Sequence, residues 1–197
     1  MLIRLANQAD AGAVHEIYAP VVERTAISFE HAAPTVAEMA RRIAAHGETH
    51  PWLVAEDSGT LIGYAYAGAY ATRAAYAWTV ETSIYVAAAA RRHGAGRALY
   101  TTLFDVLGAQ GYHRAVAGIT LPNPASVGLH EAMGFELVGV FRAVGWKLGA
   151  WHDVGRWQRD LPARCERGGT PEPPRRLGDL DPRVLSAALE GAASGSG

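Results

Sequence analysis

A strand pattern, a loop with two glycines and a helix pattern follow one another in the middle of the chain. Residues 78–86 predict a strand whose side chains alternate between two faces. The loop reads Arg-Arg-His-Gly-Ala-Gly over residues 91–96, and an apolar stripe with helical spacing then predicts a helix to about Gln110. Residues 112–121 predict the next strand. This order of elements is typical of an α/β domain and restricts the fold to that class.

The segments around this unit predict a single domain over residues 1–161. Further strands are predicted at residues 2–5, 52–55, 61–66, 135–144 and 145–157. Helices are predicted to begin where a capping side chain precedes an apolar stripe, at Asn7, Thr35 and Asn123. Because the sequence Asp-Ser-Gly at residues 57–59 is a turn signal, two of the strands should form an antiparallel hairpin.

Composition and charge argue against several classes of partner. The chain has 197 residues, of which 49% are hydrophobic, and a formal net charge of -1. This charge gives no reason to expect nucleic acid or an anionic membrane surface as a partner. No apolar run reaches the ~18 residues that a membrane helix needs, and no signal peptide is apparent. The histidines show no spacing typical of metal ligands. We therefore expect a cytoplasmic protein without a metal, nucleic-acid or membrane partner.

The composition changes after about Leu161. Residues 162–197 are rich in proline, glycine and arginine and end in Ser-Gly-Ser-Gly. Such a segment buries little apolar surface, so we predict a disordered tail with one short helix near residues 184–189. The one cysteine, Cys165, falls in this tail, and the domain therefore offers no cysteine nucleophile.

The loop at residues 91–96 has two interpretations. The first amides of the following helix have no partner inside that helix and favour an anion, and nearby arginines add positive charge. Gly94 and Gly96 would let the backbone approach a phosphate, but they would serve a tight turn equally well. The spacing excludes a dinucleotide fingerprint, which needs a third glycine, and a Walker loop, which needs Gly-Lys-Ser/Thr. Spacing alone does not decide between a phosphate site and a plain turn.

The loop resembles the Arg/Gln-x-x-Gly-x-Gly/Ala signature of the GNAT N-acetyltransferase superfamily, and the chain resembles the phosphinothricin N-acetyltransferases within it. The stretches that carry the second resemblance are Pro51–Glu56, Gly63–Gly68, Trp78–Glu81, Leu121–Asn123, His130–Ala132 and Trp151–Gly155. The likeness covers roughly residues 3–161. It implies the GNAT fold, a single α/β domain with a mixed, mostly antiparallel central sheet flanked by helices. It also implies a small-molecule amine substrate and a homodimer.

The resemblance implies acetyl-CoA as the acetyl donor. In this superfamily the glycine loop holds the coenzyme A pyrophosphate, and a backbone N–H of the preceding strand stabilises the oxyanion. The residues implied in coenzyme binding are Tyr85, Val86, Ala87, Arg91, Arg92, His93, Gly94, Ala95, Gly96, Arg97, Ala98 and Asn123. Asn123 has a second interpretation, as the N-cap of the helix that begins at Pro124.

Two residues are candidates for proton transfer. Acetylation needs a free amine, and a carboxylate near the acceptor can remove its proton. Glu81 stands mid-strand and matches the family's general base, although it could instead pair with a nearby arginine such as Arg73. His130 matches a histidine implicated in catalysis in the phosphinothricin enzymes. It could instead be a hydrogen-bonded structural residue beside the apolar stripe of its helix.

The resemblance also implies a pocket for an amino acid that carries a second acidic group. The positions that match the family's pocket are Phe29, Tyr66, Arg73, Tyr76, Ser83 and Tyr85. The aromatic residues among them could equally be core residues. The chain departs from close relatives at Ala71, where a lysine can stand, and this puts the strength of phosphinate binding in doubt.

These residues predict direct transfer of acetyl from acetyl-CoA to the amino group of phosphinothricin or a related amino acid, with herbicide or antibiotic resistance as the result. Methionine sulfoximine, methionine sulfone or another small amine are alternative acceptors. A function of another class is a regulatory module that binds acyl-CoA without turnover. Glu81 argues against such a module, because binding alone needs no base.

Overall fold

Among the residues that the structure describes, seven strands form one sheet. They are β1 Leu2–Leu5, β2 Trp52–Asp57, β3 Thr60–Ala69, β4 Thr79–Val86, β5 Arg114–Leu121, β6 Glu136–Lys147 and β7 Ala150–Asp160. Their order across the sheet is β1-β2-β3-β4-β5-β7-β6, and all neighbours are antiparallel except β4 and β5, which are parallel. The computed structural model describes residues 1–161 and 171–190, so Cys165 lies outside the described residues. The predicted mixed, mostly antiparallel sheet is confirmed.

Helices cover both faces of the sheet. They are α1 Ala11–Arg24, α2 Val36–Gly47, α3 Ala95–Gln110, α4 Pro124–Ala132 and α5 Pro182–Glu190. Leu53 and Val54, which are neighbours on β2 and fully buried, show the two faces. Leu53 packs in the apolar cluster that contains the α3 residues, whereas Val54 packs in the cluster formed with α1 and α2. Alternation along a strand thus divides the core into an α3 side and an α1–α2 side.

Capping side chains begin the first helices as predicted. Asn7 accepts a hydrogen bond from the backbone N–H of Ala9 at 2.9 Å, while Asp10 accepts one from the N–H of Asn7 at 2.8 Å. This capping box opens a 3₁₀ turn that leads directly into α1. Thr35 accepts from the N–H of Glu38 at 3.1 Å and begins α2. These contacts satisfy amides that have no partner inside a helix.

The last hairpin differs from its prediction. The sequence pattern placed a break between residues 144 and 145, whereas β6 continues to Lys147 and turns at Leu148 and Gly149, which both have positive φ. Gly145 stays inside the strand because the ring of Phe29 occupies the space that a side chain at 145 would need. The glycine that suggested a turn is therefore a site of close packing.

Part of the tail is ordered, which differs from its prediction, while the short helix predicted near residues 184–189 is present as α5. Residues 171–190 lie on the domain, where Leu177 and Leu180 are buried against Val106 of α3. The N–H of Arg175 donates to the carbonyl oxygen of Gln110 at 2.8 Å. The average composition of residues 162–197 did not reveal these two leucines as core residues. Their burial removes apolar surface from water and stabilises residues 171–190 on the domain. Residues 162–170 and 191–197, which were also predicted to be disordered, lie outside the described residues.

The parallel pair β4 and β5 leads to the candidate site. The two strands pair only over residues 79–81 and 114–116, and the remaining residues of each strand separate. A sheet that opens in this way leaves backbone groups and side chains of both strands facing a gap. Within the described ranges, no helix is both long and apolar enough to span a bilayer.

Candidate active site

A cleft occupies the gap between β4 and β5. Its walls come from both strands, from α3 and α4, and from the segment that joins α1 to α2. The lining residues are Ile27, Thr82, Ser83, Ile84, Tyr85, Tyr100, Gly118, Ile119, Thr120, Asn123, Ser126 and His130. Because the strands separate here, residues from both faces of the sheet line the cleft.

The backbone of β4 presents alternate N–H groups to the cleft. The N–H of Ala87 donates to the carbonyl oxygen of Ile62 at 2.9 Å, which fixes the alternation along the strand. The N–H groups of Tyr85 and Ala87 therefore face β3, while those of Ile84 and Val86 face the gap. Of Tyr85, Val86 and Ala87, which are predicted to contact the coenzyme, Val86 is the residue whose N–H faces the gap.

The glycine loop ends the strand and begins α3. Arg92 and Gly94 have φ values of 64° and 84°, and α3 starts at Ala95, where no side chain in the described part of the protein caps it. The first amides of this helix therefore remain available to an anion. Arg91, Arg92, His93 and Arg97 are exposed around them. The arrangement has the charge and the free donors that a pyrophosphate site needs.

The two glycines of the loop have different roles. Gly94 lies in open space, and its positive φ is the conformation that glycine adopts without strain. A side-chain carbon at Gly96 would stand 3.1 Å from Leu129 of α4. Gly96 therefore allows α3 and α4 to approach each other. This packing role does not exclude coenzyme binding, which stays a prediction for both glycines.

Asn123 is placed so that it can serve in both of its predicted roles, as the N-cap of α4 and as a coenzyme contact. Its Oδ1 accepts from the N–H of Ser126 at 3.2 Å and so caps α4. The residue also lines the cleft, and capping through oxygen leaves its amide N–H groups for a ligand. The capping role therefore does not exclude a coenzyme contact.

Glu81 lies beside the cleft and is paired with an arginine that the sequence did not suggest. Its Oε1 accepts from Nη1 of Arg156 on β7, not from Arg73. The guanidinium reaches Glu81 across Gly118 of β5, where a side-chain carbon would stand 3.0 Å from Nη1. Glu81 shares its strand face with Tyr85, on the α1–α2 side of the sheet.

His130 lies in the opposite wall. It is only 3% exposed and hydrogen-bonds to Tyr100 of α3 and to the backbone of Ser126. Burial lowers the pKa of His130 below its usual value of 6.5, so the ring is neutral near pH 7. Burial also raises the pKa of Tyr100, which keeps its hydroxyl protonated. The sequence interpretation missed Tyr100, since nothing in its helical spacing separates it from an ordinary core residue.

Comparison with known proteins agrees with this geometry. A family model described as an acetyltransferase (GNAT) domain matches residues 3–155. The chain belongs to the GNAT acetyltransferase family. Members of this family use acetyl-CoA as the acetyl donor. The predicted membership of the GNAT superfamily is confirmed.

Individual relatives are similar along most of their length. A phosphinothricin N-acetyltransferase of Streptomyces viridochromogenes is 45% identical over 163 residues, which are 82% of this chain and 89% of the relative. An L-methionine sulfoximine/L-methionine sulfone acetyltransferase of Salmonella typhimurium is 36% identical and covers 82% of this chain and 95% of its own. A crystal structure of a GNAT superfamily phosphinothricin acetyltransferase from Sinorhizobium meliloti in complex with AcCoA matches with a TM-score of 0.81. Its sequence is 37% identical, covering 91% of this chain and 95% of that chain.

Three of the residues predicted to bind substrate lie on neighbouring strands, Tyr66 on β3 and Ser83 and Tyr85 on β4. Ser83 and Tyr85 line the cleft, and Tyr66 pairs with Ser83 across the strands. Tyr66 stacks on Trp52 at 4.3 Å, so it belongs mainly to the aromatic core. Tyr85 packs edge-to-face on Tyr18 at 5.0 Å, so its ring is held in place.

The segment between α1 and α2 is tied down on both sides. Tyr18 donates to Glu30 at 2.8 Å, and Arg42 of α2 binds the same carboxylate at 2.8 Å. On the other side the buried Lys147 of β6 donates to the carbonyl oxygens of Val22 and Ser28, at 2.6 Å each. These bonds fix the segment that carries Ile27 to the cleft.

Four predicted substrate residues, Tyr66 among them, lie outside the cleft wall. Phe29 packs on Gly145 of β6, and Ile27 from the same segment lines the cleft instead. Arg73 and Tyr76 are exposed between β3 and β4, where Tyr76 packs edge-to-face on Tyr70 at 5.6 Å. The described lining residues do not include Phe29, Tyr66, Arg73 or Tyr76, so a direct contact of these four with substrate stays a prediction.

Proposed function

We propose that the protein transfers the acetyl group of acetyl-CoA directly to the amino group of phosphinothricin or a related amino acid. The observation that carries this proposal is the place of Glu81, a half-exposed carboxylate beside the cleft on the face away from α3. The features suited to a coenzyme lie at the other end of β4 and on α3. The relatives named for phosphinothricin support the choice of acceptor.

The start of α3 and the end of β4 form the coenzyme side of the cleft, which suits the anionic coenzyme A thioester. Acetyl-CoA supplies an acetyl group activated as a thioester. The uncapped amides at the start of α3 bind the pyrophosphate together with Arg91, Arg92 and Arg97. The N–H of Val86, which faces the gap, stabilises the negative charge that develops on the acetyl oxygen.

The acceptor side makes the amine reactive. An amino acid is protonated on nitrogen at neutral pH and cannot attack in that form. Glu81 takes this proton, directly or through one water, and leaves a nucleophilic amine at the cleft. His130 acts from the α3 side as an orienting group, because its contact with Tyr100 holds that hydroxyl in the cleft wall.

Thiol release from acetyl-CoA tests the proposed function. The purified protein should release coenzyme A with phosphinothricin or methionine sulfoximine, and mass spectrometry should find the N-acetylated amino acid. Failure to acetylate any member of a panel of these two, methionine sulfone and simple amines would remove the proposal and favour an acyl-CoA-binding module. The relative named for methionine sulfoximine and methionine sulfone makes those acceptors the second candidate, and the ratio of kcat/KM values decides between them.

We also propose that two copies of the chain associate through the last hairpin. Seven large apolar side chains of this hairpin are each more than half exposed: Leu137, Val138, Phe141, Val144, Trp146, Leu148 and Trp151. β6 is an edge strand, and its outer edge has no partner strand among the described residues. Self-association would cover this edge and its apolar side chains. Light scattering should give a dimer mass that Phe141→Glu lowers, while Leu2→Glu, on the opposite edge of the sheet, leaves it unchanged.

The cellular consequences follow from the substrate. Acetyl-CoA is a cytoplasmic metabolite, so we propose cytoplasmic action and resistance to phosphinothricin as a herbicide or antibiotic. Expression in a sensitive bacterium should raise the inhibitory concentration of phosphinothricin, and Glu81→Gln should abolish this effect. Fractionation of the same cells would test the compartment.

A further inference from the structure

An ion pair crosses a strand at the edge of the cleft. Arg156 of β7 stands opposite Gly118 in the β5–β7 register, and its guanidinium passes over this glycine to Oε1 of Glu81. A side-chain carbon at residue 118 would stand 3.0 Å from Nη1 of Arg156 and 3.6 Å from Oε1 of Glu81. A side chain at residue 118 would crowd both partners, so Gly118 leaves room for the pair.

Stability does not account for this pair. The side chains of Arg156 and Glu81 are 36% and 42% exposed, and ion pairs with this much solvent contact contribute little to folding. Among the described residues the contact joins Nη1 to Oε1, so the guanidinium keeps further N–H groups and the carboxylate keeps a second oxygen for a ligand. Both groups stand beside Gly118, which lines the cleft.

An α-amino acid has the matching arrangement of charges. Its ammonium and carboxylate groups are attached to the same carbon, so a site that binds both needs an anion and a cation side by side. Glu81 and Arg156 are such a neighbouring pair. We propose that Arg156 binds the α-carboxylate of the acceptor while Glu81 receives the proton of the α-ammonium group. The inference rests on the proposed function in assigning Glu81 as the base.

This assignment gives Arg156 a role in choosing the substrate. Its planar guanidinium can bind a carboxylate through two parallel N–H bonds, which a lysine cannot reproduce. An amine without an adjacent carboxylate would leave Arg156 bound only to Glu81, so it would gain no binding free energy from a contact with Arg156. The enzyme should therefore prefer α-amino acids to simple amines of the same length.

Calorimetry in the presence of unacetylated coenzyme A tests the inference without turnover. The probes are phosphinothricin and 3-aminopropyl(methyl)phosphinate, which lacks the α-carboxylate. Arg156→Met should weaken phosphinothricin binding about 10- to 100-fold, as expected for a lost charge-assisted contact, and leave the second probe nearly unchanged. Arg156→Lys should restore part of the loss. Arg142→Met is the matched control, because it removes a paired, exposed arginine of the same hairpin.

The outcomes separate this inference from the proposed function. Equal weakening of both probes by Arg156→Met, or of neither, overturns the role of Arg156 even when the wild-type protein acetylates phosphinothricin. Wild-type protein that binds phosphinothricin through Arg156 but releases no thiol keeps the subsite and overturns the enzyme proposal. Wild-type protein that binds no α-amino acid overturns both.

Discussion

The hydroxyl oxygen of Tyr100 lies 2.8 Å from Nε2 of His130, and Nδ1 of the same ring lies 2.8 Å from the carbonyl oxygen of Ser126. Because a carbonyl oxygen only accepts hydrogen bonds, Nδ1 carries the ring proton and donates it. Nε2 is then the acceptor, and Tyr100 donates to it. The pair fixes both the tautomer of the histidine and the direction of the tyrosine hydroxyl.

Tyr100→Phe should separate orientation from binding. The change removes the donor to Nε2 but keeps the ring, which packs on Phe104 at 5.0 Å. We expect kcat to fall roughly tenfold, the equivalent of one neutral hydrogen bond, with little change in the KM for acetyl-CoA. Tyr112→Phe is the control, since it removes the hydroxyl of another buried tyrosine away from the cleft. An equal effect of the two variants on kcat would contradict a role for Tyr100.

His130 should make folding stability depend on pH. Its pKa in the folded protein is below 6.5, chiefly through burial, so the unfolded chain binds the proton more readily. The free energy of unfolding should therefore fall as the pH drops through about 6.5 and continue to fall until the folded pKa is passed. Urea denaturation of wild type and His130→Gln at about pH 7.5 and about pH 5.5 checks this. The variant should lose less stability than the wild type, and His50, which burial shifts in the same direction, is present in both.

Glu81→Gln should remove catalysis and keep coenzyme binding. The amide has nearly the same shape as the carboxylate but cannot take up the amine proton, so we expect kcat to fall about 10²- to 10⁴-fold. The dissociation constant of acetyl-CoA should not change, because the coenzyme features lie on the α3 side. Stopped-flow thiol release and calorimetry measure the two quantities. Unchanged turnover would exclude Glu81 as the base.

The glycine loop can be tested by two matched substitutions. Gly94 and Gly59 both have positive φ, 84° and 80°, and both lie in open space. Valine strains the backbone at either position. Gly94→Val should also move the first amides of α3 and weaken acetyl-CoA binding tenfold or more, on the order of one charge-assisted hydrogen bond. Gly59→Val, in the β2–β3 turn, should cost stability but leave coenzyme binding as it was. Similar coenzyme affinities for the two variants would sink the phosphate-site interpretation.

Local patterns predicted most of the fold, because caps, turns and alternation act over a few residues. Asn7 and Thr35 begin helices as their side chains indicate, and Gly134 ends α4 with φ of 81°. The predicted break before Gly145 was wrong, because the ring of Phe29 occupies the space that a side chain at residue 145 would need. Such packing joins distant parts of the chain and leaves no trace in a local pattern.

The candidate site likewise contains residues that the sequence could indicate and residues that it could not. The spacing of the glycine loop and the place of Glu81 within a strand are visible in the sequence, and the resemblance to the family assigned their roles. Arg156 could not be proposed, since its contact with Glu81 depends on the pairing of β5 with β7, which places Arg156 opposite Gly118. Tyr100 has the spacing of a core residue, and only the approach of α4 brings it to His130.

The ordered part of the tail gives a test of stability alone. Leu177 is 5% exposed and packs with Leu180 on Val106 of α3, whereas Val184 of α5 is 46% exposed. Leu177→Ala leaves a cavity against α3 and should lower the free energy of unfolding by about 2–3 kcal/mol. Val184→Ala should change it by less than about 0.5 kcal/mol. Because the cluster lies apart from the cleft residues, kcat and KM should stay at the wild-type values in both variants. Equal stabilities of the two variants in urea denaturation would show that residues 171–190 do not contribute to the folded domain in solution.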